Sequence, residues 1–120
     1  MLRHGETGAV IASHVEVMSS ARARARGLLK FKEAPPDYAG VFEMPWGGFC
    51  PAIHTFGMCF AIDIIFCDAH RRIRALYRGV KPGRLVLPLR YIAGGLLYVI
   101  EWPASADTLC VGDSLEWSPS

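Results

Sequence analysis

The sequence predicts a single, mainly β domain with one short helix after its first strand. A chain of 120 residues is long enough for one hydrophobic core and short for two. Its 12 glycines and 8 prolines favour frequent turns over long helices. Several hydrophobic stretches alternate with polar residues at the period of a strand. Together these observations favour a β-rich globular fold.

The N-terminal part of the chain is expected to begin loosely and then to form a strand and a helix. Residues 1–9 are predicted to be a loose leader, and residues 10–120 a single β-rich domain. Alternation of apolar and polar side chains predicts the first strand over residues 10–18. A serine that can cap a helix precedes one apolar stripe, so residues 20–29 are predicted to be the main helix. The stripe consists of Ala21, Ala25, Leu28 and Leu29.

The remaining chain reads as short strands between loops. Prolines and glycines make residues 33–40 and 45–54 loops, and the intervening "VFEM" is a short strand candidate. A long apolar run predicts a strand over residues 58–67, with its even-numbered residues facing the core. A hairpin partner follows at residues 72–78, and "LLYVIEW" predicts a strand over residues 96–102. The closing "VGDSLEW" offers a turn into a last short strand.

The charge balance and the cysteines exclude several classes of protein. A formal net charge of +2 is too small for a protein that mainly grips a phosphate backbone, so no nucleic acid partner is predicted. No apolar run is long enough to span a membrane. The four cysteines lack the paired spacing of a zinc or redox site, which predicts free thiols, no metal, no cofactor and a cytoplasmic location. These cysteines are Cys50, Cys59, Cys67 and Cys110.

Several short motifs follow one another in a recognisable order: "RARGLL", "HTFGM", "AIDIIFCD", "KP", "YVIEWPA" and "VGDSL". Together they resemble the domain of unknown function 192 family of small bacterial and archaeal proteins, over roughly residues 15–117. The resemblance implies a sandwich or barrel of jelly-roll-like character with the one helix packed against it. It implies no established reaction.

The sequence departs from this family pattern at three places. Cys59 follows Met58 where a basic or polar residue is usual, which weakens any role for a charge at that position. Ser105 replaces the usual glycine of the turn after "YVIEWPA", and Leu29 stands where a methionine is common.

Asp63 is the most informative single residue, because its carboxylate lies between two isoleucines of a predicted strand. An ionised carboxylate at this position must either face water or find a cationic partner. The family pattern places an arginine in the helix motif, so a contact between Arg26 and Asp63 is the natural hypothesis. That contact would either stabilise the fold or form part of a ligand site.

His54 and Thr55 open the predicted strand beside a loop that holds Trp46, where a β domain usually places a binding cleft. We therefore predict a domain that binds a small ligand or a protein partner beside the helix and the "HTFGM" motif, as a monomer or weak dimer. The predicted ligand-binding residues are Arg26, Trp46, His54, Thr55, Met58 and Asp63.

An enzyme is the alternative function: a small hydrolase in which His54 acts with Asp63 or Arg26. Nine residues of extended strand separate His54 from Asp63 by about 30 Å, so their direct contact would need a bend in the chain. His54, Met58 and Cys59 include donors for a soft metal such as Cu(I), but Met58 is predicted to face the core. No catalytic residue and no metal ligand is therefore assigned.

Overall fold

Strand β6, Ile62–Cys67, is an interior strand of the main sheet, and all six of its residues are buried. The computed structural model describes residues 1–19, 27–44, 49, 51–103 and 109–119. Within these ranges the chain is mainly β, and the helical segments are 3-10 turns at Gly27–Lys30 and Leu89–Tyr91. The strands are β1 Leu2–His4, β2 Val10–Ala12, β3 His14–Met18, β4 Tyr38–Glu43, β5 Ile53–His54, β6 Ile62–Cys67, β7 Ile73–Val80, β8 Leu85–Val86, β9 Tyr98–Pro103 and β10 Leu115–Trp117.

The main sheet has the order β3-β4-β9-β6-β7. Strands β3 and β4 are parallel, and every other neighbouring pair in this sheet is antiparallel. A second sheet has the order β10-β1-β2, and β5 pairs with β8 in a short antiparallel ribbon. The predicted β-rich class is confirmed. The finer expectation of a jelly-roll-like sandwich or barrel is not, because the sheets are open.

The N-terminal residues are part of the fold. Strand β1 pairs with both β2 and β10, and Leu2 is completely buried. The ammonium group of Met1 also donates a hydrogen bond to the Ser118 carbonyl at 2.9 Å. The expectation of a loose leader over residues 1–9 is therefore wrong for the β1 residues. Sequence periodicity missed them because a three-residue strand is too short to show alternation.

The predicted strand over residues 10–18 is divided at Ser13 between two sheets. The Ser13 amide donates to the Asp37 carboxylate at 2.8 Å, and the His14 amide donates to the Asp37 carbonyl at 3.0 Å. These bonds hold the chain where it leaves β2 and enters β3. Asp37 itself has a left-handed backbone with φ 54, which aspartate tolerates better than most residues.

Both faces of the main sheet are buried. One face packs against the second sheet in a first core that includes Ile65, Ile100 and Trp102. The opposite face forms a second core with Ile64, Phe66 and Leu28. The prediction that only the even-numbered side chains of the apolar run face a core is thus wrong, because β6 is a central strand covered on both sides.

The main helix predicted at residues 20–29 is not confirmed. Residues 20–26 lie outside the described ranges, and Gly27–Lys30 form a 3-10 turn. The predicted strand over residues 58–67 begins later, at Ile62, since the segment before it turns at Gly57 with φ 82. The Met58 amide closes this turn by donating to the Thr55 carbonyl at 3.1 Å.

Candidate functional site

Thr55, predicted to line a binding cleft, is a buried structural residue. Its hydroxyl donates to the Lys81 carbonyl at 2.7 Å and accepts from the Arg84 amide at 2.9 Å. Its own amide donates to the Arg84 carbonyl at 2.8 Å. These bonds fasten the "HTFGM" segment to the 81–84 turn, which explains why this fold needs a hydroxyl here.

His54 lies on the surface of the β5–β8 ribbon. Its ring stacks on the Phe56 ring with a centroid distance of 5.2 Å, and its backbone lies opposite Leu85. Met58, two residues after Phe56, is buried in the second core, which confirms the prediction that its side chain faces the core. Arg26 and Trp46 lie outside the described residues, so their predicted roles stay predictions.

Asp63 is buried in β6 and organises a bulge in the neighbouring strand. The Gly79 amide donates to Asp63 Oδ1 at 2.8 Å, and the pairing between β6 and β7 shifts register at this point. Gly79 has φ 59, a left-handed conformation that suits glycine. The second carboxylate oxygen, Oδ2, is buried without a hydrogen-bond partner among the described residues.

The structure does not bring His54 and Asp63 into hydrogen-bond contact. Asp63 Oδ1 accepts from the Gly79 backbone, and Oδ2 accepts from no described residue. The His54 ring instead faces Phe56 on the protein surface. The two residues that motivated the hydrolase alternative thus belong to different layers of the fold.

A different group of polar residues meets on the second-core face of the main sheet. Glu16 in β3 lies opposite Gly40 in β4, and Gly40 lies opposite Glu101 in β9. Neighbouring strands are about 4.8 Å apart, so two glutamates flank a glycine across three strands. Ile64 in β6 lies opposite Glu101 and continues this row into the next strand.

Glu101 is the unusual member of this row. Its side chain is 7% exposed, and no described residue donates a hydrogen bond to it or forms an ion pair with it. Burial therefore raises the pKa of Glu101 from 4.5 to about 7, because the charged form loses its hydration. A carboxyl in this setting is poised to bind a proton or a cation.

Glu16, by contrast, accepts hydrogen bonds from described residues. The Tyr38 hydroxyl donates to Glu16 Oε1 at 2.6 Å, and the Lys30 ammonium group contacts the same oxygen. Burial, followed by the bond to Glu16 and the charge of Glu101, raises the pKa of Tyr38 above its ordinary value. Tyr38 thus stays a neutral hydroxyl donor between the two carboxyl groups.

Gly40 allows the side chains of this face to approach the sheet closely. A Cβ at this position would lie 2.7 Å from the Met18 methyl group and 3.7 Å from the Tyr38 hydroxyl. The 3-10 turn at Gly27–Lys30 covers the same region, with Lys30 on Glu16 and Leu28 in the second core. We call Glu16, Tyr38, Gly40 and Glu101 the acidic row.

The acidic row lies beside the segment predicted to carry the site. Leu29, next to Lys30 in the 3-10 turn, approaches within 3.3 Å of the position that a Cβ on Gly57 would take. The turn therefore connects Glu16 at one end with the "HTFGM" motif at the other. Glu101 was not among the residues predicted to bind a ligand.

The sequence held a signal that would have found Glu101. Glu101 lies between Ile100 and Trp102 in the predicted strand "LLYVIEW", the same context that singled out Asp63. A charged residue inside an apolar strand requires a partner wherever it occurs. Applying that rule to both strands would have identified both carboxyl groups.

The described residues contain no cluster of three histidine, cysteine, aspartate or glutamate side chains arranged to hold a metal ion. Likewise, none of the helical segments within the described ranges is long and apolar enough to cross a membrane.

Comparison with known proteins places this chain among proteins of unknown function. The DUF192 family model, described as an uncharacterized ACR, matches residues 3–117. No curated protein matches the chain.

Two solved structures share the fold. One is a protein of unknown function from Novosphingobium aromaticivorans, with a TM-score of 0.73 and 20% identity, covering 86% of this chain and 74% of that one. The other is described as a putative transcription regulator from Sinorhizobium meliloti, with a TM-score of 0.69 and 20% identity, covering 85% and 79% of the two chains. At this identity the likeness concerns the fold alone.

Proposed function

The chain belongs to the DUF192 family, and because that membership assigns no reaction, we propose from its own geometry that it binds a small organic cation at the acidic row. The proposal retains the predicted class of function, a binding domain without catalysis. It moves the centre of the site from His54 and Asp63 to Glu101, with Tyr38 and Glu16 beside it. The ligand class is an amine or guanidinium compound.

The observation that carries the proposal is the buried carboxyl of Glu101, which no described residue satisfies. A buried charge without a partner costs several kcal/mol, so proteins normally pair or neutralise it. A cationic ligand would supply both the charge and the N–H donors that the carboxylate lacks. The ligand would be small, because Glu101 is only slightly exposed.

The neighbours of Glu101 support a cation over an anion. Glu16 adds a second carboxylate, whose charge Lys30 balances, and the Tyr38 hydroxyl already donates to Glu16. An anionic ligand would have to approach two carboxyl groups, which like-charge repulsion opposes. On this face Ile64 and Phe42 are buried in the second core, so the carboxyl groups would supply most of the contacts to the cation.

The hydrolase alternative receives less support. Its His54 and Asp63 form no hydrogen bond with each other, and Arg26 lies outside the described residues. A general base needs to hold its orienting partner within hydrogen-bond distance.

The proposal is tested by titrating the protein with small cations. Agmatine, putrescine, spermidine and ammonium would be compared with acetate and succinate by calorimetry and by thermal unfolding, since a ligand that binds the native state raises its melting temperature. We expect at least one amine to bind and the carboxylates not to bind. Affinity should increase as the pH rises through about 7, where Glu101 loses its proton.

Two variants assign the binding to Glu101. Glu101→Gln keeps the shape but removes the charge, so amine binding should weaken at least tenfold. Glu116→Gln removes the charge of an exposed glutamate in β10 and should leave binding unchanged. Absence of binding by every amine, or equal binding by the wild type and Glu101→Gln, would contradict the proposed function.

A further inference from the structure

The β5–β8 ribbon has one face on the protein and one face in solvent. Ile53 lies opposite Val86, and both contact the second core. His54 lies opposite Leu85, and directly opposed residues of an antiparallel pair point to the same side. The side chains of His54 and Leu85 therefore project away from the core.

This outer face is apolar and well fixed. Leu85 is 65% exposed and Phe56 is 54% exposed, while the Phe56 ring stacks on His54 at 5.2 Å. The Thr55 hydrogen bonds to the 81–84 turn hold these side chains in place from beneath. We call His54, Phe56 and Leu85 the ribbon face.

Positive charge borders the ribbon face. Lys81 and Arg84, in the turn that Thr55 binds, are exposed, and neither forms an ion pair with another residue in the described ranges. The sequence contains no aspartate or glutamate from residue 69 to 100, although it contains seven basic residues there. Residues 44–62, which include the rest of the ribbon face, also contain no acidic residue.

We propose that the ribbon face docks an acidic segment of another protein, with apolar side chains on Phe56 and Leu85 and carboxylates on Lys81 and Arg84. Complementary charge speeds encounter and fixes orientation, while the apolar centre supplies the buried area. This interaction surface is separate from the acidic row, and it would attract a partner of the opposite charge.

The composition of the face distinguishes this partner from two others. A lipid bilayer would surround the His54 imidazole with hydrocarbon and leave its ring N–H without an acceptor, which is costly. A carboxylate of a protein segment would accept that hydrogen bond. A second copy docking through the same face would bring Lys81 and Arg84 against their own counterparts, and like charges oppose such a symmetric contact.

The test uses a random peptide library displayed on phage, selected on the immobilised wild-type protein. We expect the selected peptides to combine aspartate or glutamate with leucine, isoleucine or phenylalanine, and to bind more weakly as the salt concentration rises. Synthetic copies of these peptides should bind at least tenfold more weakly to Leu85→Asp, and to a double variant with Lys81→Glu and Arg84→Glu.

Matched controls come from exposed apolar residues elsewhere. Val10 in β2 and Val111 are 50% and 60% exposed, so Val10→Asp and Val111→Asp should bind the peptides like the wild type. Thermal unfolding verifies that each variant is folded. Failure to select acidic peptides, or unchanged binding to Leu85→Asp, would overturn the inference.

Two further measurements address the other partners. Co-sedimentation with phosphatidylserine vesicles that Leu85→Asp abolishes would identify a membrane site and overturn the proposal of a protein partner. Self-association in analytical ultracentrifugation that the same variant abolishes would identify a second copy and would also overturn it. If neither occurs and the peptide results hold, the acidic protein segment is supported.

Discussion

Glu101 should make the stability of this domain depend on pH. The pKa of Glu101 rises from 4.5 in water to about 7 in the folded protein, because burial disfavours the charged form. In the unfolded chain the carboxyl returns to water and to its ordinary pKa. Between these two values the folded state therefore binds more protons than the unfolded state.

The sign of the effect follows from this difference in proton binding. The contribution of Glu101 to the free energy of unfolding is fully present below pH 4.5 and declines as the pH rises to about 7. Each pH unit across this interval corresponds to about 1.4 kcal/mol. The whole interval thus amounts to about 3 kcal/mol, a large fraction of the 5 to 15 kcal/mol typical of a domain.

Glu101→Gln removes the titrating group and tests this reasoning. Urea unfolding of ligand-free protein would be measured from about pH 4 to about pH 8, which spans both pKa values, for the wild type, for Glu101→Gln and for the exposed control Glu116→Gln. Relative to the wild type, Glu101→Gln should gain about 3 kcal/mol between the two ends of the full titration interval, while Glu116→Gln should show no such trend. A constant difference between Glu101→Gln and the wild type at every pH would refute the claim that Glu101 is buried without a counter-charge.

Substitutions at Thr55, Gly40 and Asp63, with His54→Ala as a surface control, test the packing around the candidate site by denaturant unfolding. Thr55→Val keeps the shape of the side chain but leaves the Arg84 amide without its acceptor, so it should cost about 1 to 3 kcal/mol. His54→Ala, at the surface, should cost about 1 kcal/mol or less. Equal losses for the two variants would contradict the structural role of Thr55. Gly40→Ala places a Cβ 2.7 Å from the methyl end of the flexible Met18 side chain, which can shift, so it should cost about 1 kcal/mol or less. A loss above about 3 kcal/mol would show that the Met18 methyl group cannot move aside. Asp63→Ala removes the acceptor for the Gly79 amide and should cost about 1 to 3 kcal/mol. Asp63→Asn should cost less, because the asparagine side chain keeps an acceptor oxygen. A loss of about 3 to 5 kcal/mol for Asp63→Asn would instead indicate the predicted pair with Arg26.

Sequence reasoning predicted the strands of the main sheet best where hydrophobic patterning extends over many residues. The predicted strands at 72–78 and 96–102 correspond to β7 Ile73–Val80 and β9 Tyr98–Pro103. The family resemblance is also confirmed, since the family model matches residues 3–117. Such long patterns are informative because each residue adds to the same periodic signal.

Features that depend on distant contacts could not be predicted from local patterns. Strand β1 lies between β2 and β10 in the second sheet, and β10 is more than a hundred residues away in the sequence. The division of the 10–18 segment at Ser13 depends on Asp37, which lies 24 residues further on. The burial of both faces of β6 likewise requires knowing that β9 and β7 flank it.

The hydrogen bonds of the candidate site could not be predicted from local patterns either. The pattern around His54 and Asp63 indicated polar residues in apolar surroundings, but it did not reveal which hydrogen bonds they make. Thr55 belongs to the fold because the 81–84 turn meets it. The acidic row is invisible in the sequence because its members come from three strands that are far apart along the chain.

Asp63 and Glu101 are two buried carboxyl groups with different surroundings. They lie in neighbouring strands, one pairing position apart, because Asp63 is opposite Trp102 and Ile64 is opposite Glu101. They therefore point to opposite faces of a sheet that is buried on both sides. Asp63 reaches the backbone of the β7 bulge through one oxygen, so part of its requirement is met by the strand that it shapes. Glu101 meets no donor among the described residues, and its carboxyl must be neutral or bind something from outside the described part of the chain. Neither carboxyl is fully satisfied by the described residues, but Asp63 keeps one hydrogen bond to the fold and Glu101 has none, so a cationic ligand would gain more by binding at Glu101.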